Sequence, residues 1–255
     1  SASAAAAAAQ GPQGWAEEGA QARAAAGLQA QLSGARTAGH VMEALALHAD
    51  SLDALHAATA LHRLARYSSR GERQAAVFMR DPLKASLLEK LGRPGALQQL
   101  SPQGRCCLLL ALARLGLAPA WLQQLLDACA DVTPSLSGHQ LATALHALAG
   151  LHRLPAAQQS QRLMEALHVE ARRRQQSLGP GGTSAMDTVL IADALAKLQV
   201  YDEALFASLA TALQAHLNAG ELGLREVRHA VTAFASVGYV DPQLSAAACE
   251  WLAPR

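Results

Sequence analysis

The sequence has few aromatic residues and almost no signal for β-strands. Phe, Trp and Tyr account for 4% of its 255 residues, while hydrophobic residues account for 51%. The longest run that favours a strand, Val189–Ile191, lies inside a stretch with helical periodicity. A core made of Leu, Ala and Val suits closely packed helices, so the sequence predicts an all-α fold.

Motifs for metal binding, catalysis and membrane insertion are also missing. The cysteines have no CxxC spacing, and we expect them to be free, buried thiols in a reducing compartment; they are Cys106, Cys107, Cys129 and Cys249. Gly179–Ser184 lacks the lysine and the preceding strand of a phosphate loop. No apolar run reaches membrane-spanning length. We therefore expect a non-enzyme with no catalytic residues, bound metal, cofactor, small-molecule substrate or membrane partner.

The sequence does contain an internal repeat, which is clearest in Leu100–Leu154. The segment LSPQ at Leu100 returns as LSGH at Leu136, and ALARLG at Ala111 returns as ALAGLH at Ala147. Both correspondences have an offset of 36 residues. A period of this size is typical of stacked supersecondary units.

A shared local pattern extends the repeat to five copies. Each copy has an apolar anchor residue followed by Ala, and a second apolar residue stands three positions after the anchor; the anchors are Leu64, Leu112, Leu148, Leu195 and Phe234. Each anchor also has an apolar residue one helical turn upstream, and each copy is followed by a turn and a second apolar-periodic stretch. A helical hairpin cannot bury both of its faces alone. The pattern predicts an α-solenoid of about five to six stacked hairpins over residues 38–255.

The start of the chain differs in composition from the repeats. Residues 1–37 are rich in Ala and poor in apolar periodicity, apart from a short helix expected within Gln21–Gln31. Two interpretations remain open for this stretch: a largely disordered extension, or the remnant of an organellar transit peptide. The first helical pair is expected at His40–His48 and Leu52–Ser68, with Asp50 or Ser51 as the cap between them.

The repeats resemble a known family. SPQ, a helix ending in ALARLG, and a Pro-Trp-Leu start to the second helix are similar to the octotricopeptide repeat, a helical hairpin of organellar RNA-processing and translation proteins. Val41–Tyr67 is similar to the helical region of the related FAST-kinase-like and RAP-domain proteins. The resemblance covers roughly Val41 to Leu252 and implies an organellar, RNA-binding solenoid.

The distribution of charge supports a polyanionic partner. The formal net charge is only +1, but Arg63–Arg174 has 15 Lys and Arg against 7 acidic residues, a net of +8. The flanking segments Ser1–His62 and Gln175–Pro254 have nets of −3 and −5. A basic segment between acidic ends is typical of proteins that bind nucleic acid.

Stacking would place one row of cations along the solenoid. The residues two positions after the anchors are Arg66, Arg114, Gly150, Lys197 and Ser236. One cation per repeat can follow a phosphate backbone, although the same row is also compatible with a merely solvated face. The candidate RNA-binding residues are His62, Arg63, Arg66, Arg105, Arg114, His146, Arg172, Arg173, Arg174 and Lys197.

The resemblance and the charge together predict a function. We expect a mitochondrial (alternatively chloroplast) RNA-binding protein, residing in a larger particle such as a mitochondrial ribosome, where it binds and stabilises ribosomal RNA beside neighbouring proteins. The alternatives are a factor for messenger RNA maturation or translation, and a scaffold that binds only proteins.

Overall fold

A computed structural model describes residues 12–152, 154, 160–178 and 182–252 of the chain. These residues form thirteen α-helices and four short 3-10 helices, and they contain no β-strand. The predicted all-α class is confirmed. The chain divides into two compact units, Ser1–Arg93 and Pro94–Arg255.

The described part of the first unit contains five helices. They are α1 (Pro12–Gly34), α2 (Ala38–Leu47), α3 (Ala54–Ser68), α4 (Arg73–Phe78) and α5 (Pro82–Leu91). Helix α3 is central, because it packs against each of the other four. Nine of its fifteen residues are buried, as expected for a helix covered on several sides.

Within residues 1–37, the described part forms a helix that is longer than the short one expected within Gln21–Gln31. Helix α1 runs from Pro12 to Gly34 and contacts α2 and α3. Leu28 and Leu32, one turn apart, are buried. These two leucines give α1 an apolar stripe that an Ala-rich composition hides, whereas residues 1–11 lie outside the described part of the chain.

The N-cap residue of α3 differs from the one predicted from the sequence. Asp53, rather than Asp50 or Ser51, is the N-cap, and its carboxylate accepts a hydrogen bond of 2.8 Å from the backbone N–H of His56. The His56 side chain in turn reaches the backbone N–H of Asp53, which completes a capping box. Ala49–Ser51 forms a 3-10 turn instead.

Within the described residues, the second unit contains the remaining eight helices as four consecutive pairs. The pairs are α6 (Pro102–Leu115) with α7 (Leu122–Val132), α8 (Gly138–Leu151) with α9 (Gln161–Arg173), α10 (Ala185–Lys197) with α11 (Glu203–Asn218), and α12 (Leu224–Ser236) with α13 (Pro242–Leu252). We call the first member of each pair a first helix and the other a second helix. Within every pair the two helices pack together.

The first helices also pack in series. Helix α6 contacts α8, α8 contacts α10, and α10 contacts α12. Among the second helices, α7 contacts α9 and α11 contacts α13, while the 3-10 turn Gln175–Ser177 touches both α9 and α11. Neighbouring pairs are thus joined through both of their members.

Serine caps set a common register for the first helices. Ser101, Ser137 and Ser184 each stand eleven residues before an anchor leucine, and each side chain accepts a hydrogen bond from a backbone N–H in the first turn. Gly223 stands at the same distance before Phe234 at the start of α12. Because the helices begin at equivalent positions, residues at equal distances from the anchors occupy equivalent positions within their own helices.

Two further sequence expectations can be compared with the structure. All four cysteines are free, but only Cys106 and Cys129 are buried, while Cys249 is exposed. No helix within the described residues is both long and apolar enough to cross a membrane.

Candidate nucleic-acid interface

Three successive first helices line a groove on the surface of the second unit. We call it the central groove; its volume is about 250 Å³ and its lining is Leu110, Ala113, Arg114, His146, Ala149, Gly150 and Lys197. Arg114 comes from α6, His146 from α8 and Lys197 from α10. Three of the predicted site residues, each from a different repeat, are therefore brought together.

The floor of the central groove is made by small residues. Gly150 stands at the repeat position of Arg114 and Lys197, and a Cβ atom built on it would lie 3.2 Å from the Cβ of Ala113. Such a contact is tighter than ordinary van der Waals packing, so α8 approaches α6 closely at this point. The absence of a side chain between the two cations opens the groove.

A second, adjoining groove continues from Lys197 towards α12. Its volume is about 480 Å³, and its lining is Asp193, Ala196, Lys197, Gln199, Tyr201, Thr232, Ala233, Ser236 and Val237. Tyr201 is 53% exposed, although its ring also lies against Phe206 with a centroid distance of 5.8 Å. Lys197 lines both grooves, so together they run across all four first helices.

Gln199 and Tyr201 were not identified from the sequence. Gln199 has a positive φ of 56°, and it stands four residues after its anchor, where α6 and α12 are followed by Gly116 and Gly238 with φ of 64° and 71°. A non-glycine residue in this backbone region costs free energy, and such positions cluster at functional sites. A glutamine in a glycine position of the repeat was the available signal.

Lys197 is partly neutralised by a neighbour on its own helix. Its ammonium group lies 2.5 Å from the carboxylate of Asp193, one turn upstream. The lysine remains 44% exposed, whereas the aspartate is 15% exposed. A phosphate entering the groove would therefore share Lys197 with Asp193.

The surroundings of His146 favour the neutral form of its ring. Burial lowers its pKa, the charges of Lys197, Arg114 and His229 lower it further, and Asp193 acts in the opposite direction. Its Nδ1 atom is buried and has no hydrogen-bond partner in the described part of the protein. The neutral ring carries one N–H group, so it can donate one hydrogen bond.

The predicted arginine triplet at the end of α9 is paired with carboxylates. Arg172 lies 2.6 Å from Asp202 at the start of α11. Glu170 accepts hydrogen bonds of 2.6 and 2.8 Å from Arg173 and a further one from Arg174. Hydrogen bonds from Arg173 lower the pKa of Glu170, burial opposes this, and Arg174 lowers the pKa further. Two buried anions thus compensate most of the charge of the triplet.

Arg105 has an internal role. Its Nε donates to the carbonyl of Leu97 at 3.1 Å, and a terminal nitrogen donates to the carbonyl of Ala128 at 3.2 Å. These bonds tie α6 to the 3-10 turn Leu97–Gln99 before it and to α7 after it. The guanidinium is therefore already engaged by backbone acceptors.

The other predicted residues belong to α3 of the first unit. Arg63 donates a hydrogen bond to the carbonyl of Ser33 in α1. His62 is half-buried, and Arg66 is exposed in the last turn of α3.

The described residues contain no group of three or more His, Cys, Asp or Glu side chains that could hold a metal ion.

No protein-family model matches the sequence, and no curated protein is similar to it.

Proposed function

We propose that the second unit is a short α-solenoid of four helical hairpins that binds single-stranded RNA along its first helices. The serial packing of α6, α8, α10 and α12 supports the solenoid, because repeat proteins are held together by contacts between neighbouring repeats. The chain would bind rather than catalyse. The central groove is the observation that carries the proposal.

The groove residues offer the contacts that a single strand requires. Arg114 and Lys197 are exposed cations that can bind successive phosphates. The neutral His146 can donate a hydrogen bond without adding charge. Tyr201 presents an aromatic ring in the adjoining groove, on which a base can stack regardless of its identity.

The proposal uses only part of the predicted residue set. Arg105 is engaged by carbonyl groups, and the Arg172–Arg174 triplet is paired with Glu170 and Asp202. These residues are therefore outside the proposed interface. Residence in a mitochondrial ribosome, and the alternatives of a chloroplast or messenger RNA factor, follow from the octotricopeptide resemblance and stay predictions.

Two single variants, Arg114→Ala and Lys197→Ala, are each expected to weaken RNA binding and to flatten its salt dependence. Each lost phosphate contact should reduce the slope of log K against log salt by about 0.7 for a single strand. The measurement is fluorescence anisotropy of the full chain with a labelled single-stranded RNA over a series of salt concentrations.

Arg162→Ala is the matched control for this experiment. Arg162 is 60% exposed on the second helix α9, where it pairs with Asp127 and Asp131. Its loss should leave the salt slope unchanged. An equal effect of all three alanine variants would mean that the protein attracts RNA only through its overall charge. Binding to a protein partner that does not depend on salt would instead favour the scaffold alternative.

Asp193→Asn is expected to strengthen RNA binding. The substitution removes the carboxylate that competes with a phosphate for Lys197, so we expect a gain of roughly two- to fivefold, the size of a surface ion pair. The same titration in the Lys197→Ala background is the control, since the gain should then disappear. A gain that persists there would show that Asp193 acts on RNA independently of Lys197.

A further inference from the structure

Helix α12 is the fourth of the first helices. It exposes residues whose equivalents in α6, α8 and α10 are buried. Val231 stands three residues before the anchor Phe234 and is 45% exposed, whereas Leu109, Leu145 and Ala192 at the same repeat position are fully buried. Six residues before the anchor, Arg228 is exposed while the corresponding Cys106, Ala142 and Val189 are buried.

This exposed side of α12 is the side on which a following first helix packs. Ala113, one residue after its anchor, faces Gly150 of the next helix, and Gly138, ten residues before its anchor, faces Thr183 at the start of the next repeat. On α12 the corresponding residues are Ala235 and Leu224, and both are exposed. We call Leu224, Arg228, Val231 and Ala235 the open face.

Charge at the edge of the open face indicates what kind of helix fits it. On α8, His139 stands nine residues before its anchor and lies 2.8 Å from Asp187 in the first turn of α10. The equivalent of His139 on α12 is Arg225, and Arg228 lies one turn further along. Neither arginine forms an ion pair with a residue that the structure describes. A permanent cation replaces a histidine, so a carboxylate at the position of Asp187 would be held more strongly.

We propose that the open face binds a helix of a partner protein that carries a carboxylate in its first turn and small or apolar residues on the face towards α12. The helix would lie as α10 lies on α8. The carboxylate would pair with Arg225 and would also be favoured by the N-terminal dipole of its own helix. The inference rests on the packing between first helices and does not depend on RNA binding.

The probe for this inference is a synthetic peptide with the sequence of Ser184–Leu198. It contains Asp187 and the apolar residues with which α10 meets α8. Isolated helices of this length are marginally stable in water, so the peptide carries a hydrocarbon staple that keeps it helical. The staple replaces Ala185 and Val189, which lie on the side of the helix away from the face that meets α8. Circular dichroism verifies the helix, and fluorescence anisotropy measures its binding to the full-length chain.

Val231→Glu in the full chain is expected to weaken peptide binding at least tenfold. Val169→Glu on α9 is the matched control, because Val169 is equally a large exposed apolar residue, and it should have no effect. A peptide with Asp187→Lys should bind the unmodified chain at least tenfold more weakly and should recover on the Arg225→Glu chain. Arg114→Ala should leave peptide binding unchanged, which separates this result from a failure of RNA binding.

Three results would overturn the inference. A helical peptide that does not bind excludes a helix of this chemistry on the open face. Equal effects of Val231→Glu and Val169→Glu place the binding elsewhere. A homodimer in sedimentation that Val231→Glu dissociates would identify a second copy of the chain as the occupant.

Discussion

Phe206→Ala is expected to destabilise the second unit by about 3–5 kcal/mol, the usual cost of removing a buried aromatic ring. The Phe206 side chain on α11 is fully buried. Its ring lies 5.3 Å from Phe234 on α12 and 6.1 Å from Tyr239 in the following turn, measured between centroids. The Phe206–Phe234 pair is edge-to-face, and its loss adds to the loss of buried area.

The same variant tests the proposed solenoid, because stability in a repeat protein is transmitted between neighbours only. Hydrogen exchange should show that α12 and α13 lose protection first, while amides of α6 and α7 retain theirs. Phe206→Leu is the control, since it keeps most of the apolar volume and should cost less than about 1.5 kcal/mol. A uniform loss of protection over all eight helices would argue for a single cooperative bundle.

The features predicted best from the sequence are those set by local interactions. The anchor spacing predicted the first helices, and the serine caps Ser101, Ser137 and Ser184 begin each of three helices at the same register. Serial packing of helices with this common register brings residues at similar distances from the anchors close together. That is why the sequence predicts Arg114 and Lys197 in one row, with His146 one turn away on the same face, and all three line the central groove.

The features missed from the sequence are the ion pairs that predicted RNA-binding cations already form with carboxylates. Glu170 stands three and four residues before Arg173 and Arg174, so this pairing was readable from helical spacing. The same spacing joins Asp193 to Lys197. The net charge of a segment treats these cations as free to bind RNA, although each of them has a carboxylate partner one helical turn away.

Two other features required the tertiary structure. Arg172 pairs with Asp202, which is 30 residues away and meets it only because α9 lies near the start of α11. Helix α1 looked like part of an extension because the burial of Leu28 and Leu32 depends on its packing against α3. Contacts between residues far apart in sequence leave no periodic signal.

Asp202→Ala is expected to cost about 2–3 kcal/mol, because it removes a helix cap and a carboxylate shared by two helices. Asp202 caps α11 by accepting a hydrogen bond of 3.2 Å from the backbone N–H of Leu205. Its other carboxylate oxygen lies 3.1 Å from Nε2 of His168 and 2.6 Å from Arg172, both on α9. One buried side chain thus joins two consecutive second helices.

The charge of Asp202 should make this contribution depend on pH. Burial acts to raise its pKa, but the hydrogen bonds from Leu205 and His168 and the charge of Arg172 together hold the pKa below its usual value. A lowered pKa in the folded state stabilises the protein above the unfolded-state pKa, and the contribution is lost as the pH falls through the folded-state value. Urea unfolding should therefore show that Asp202→Asn, which retains a capping oxygen, is less stable than the parent chain at pH 7 and that the difference shrinks below about pH 4. A difference that stays constant on acidification would contradict this assignment.

Asp202→Asn also distinguishes two versions of the RNA interface. The substitution releases Arg172, which is 56% exposed, from its carboxylate partner. If the arginine triplet contacts RNA, as the sequence predicted, the affinity and the salt slope should both rise. If binding is confined to the grooves on the first helices, neither should change, because Asp202 and Arg172 belong to the layer of second helices and the grooves are lined chiefly by the first helices. The combination of lower stability with unchanged RNA binding is the result that we expect.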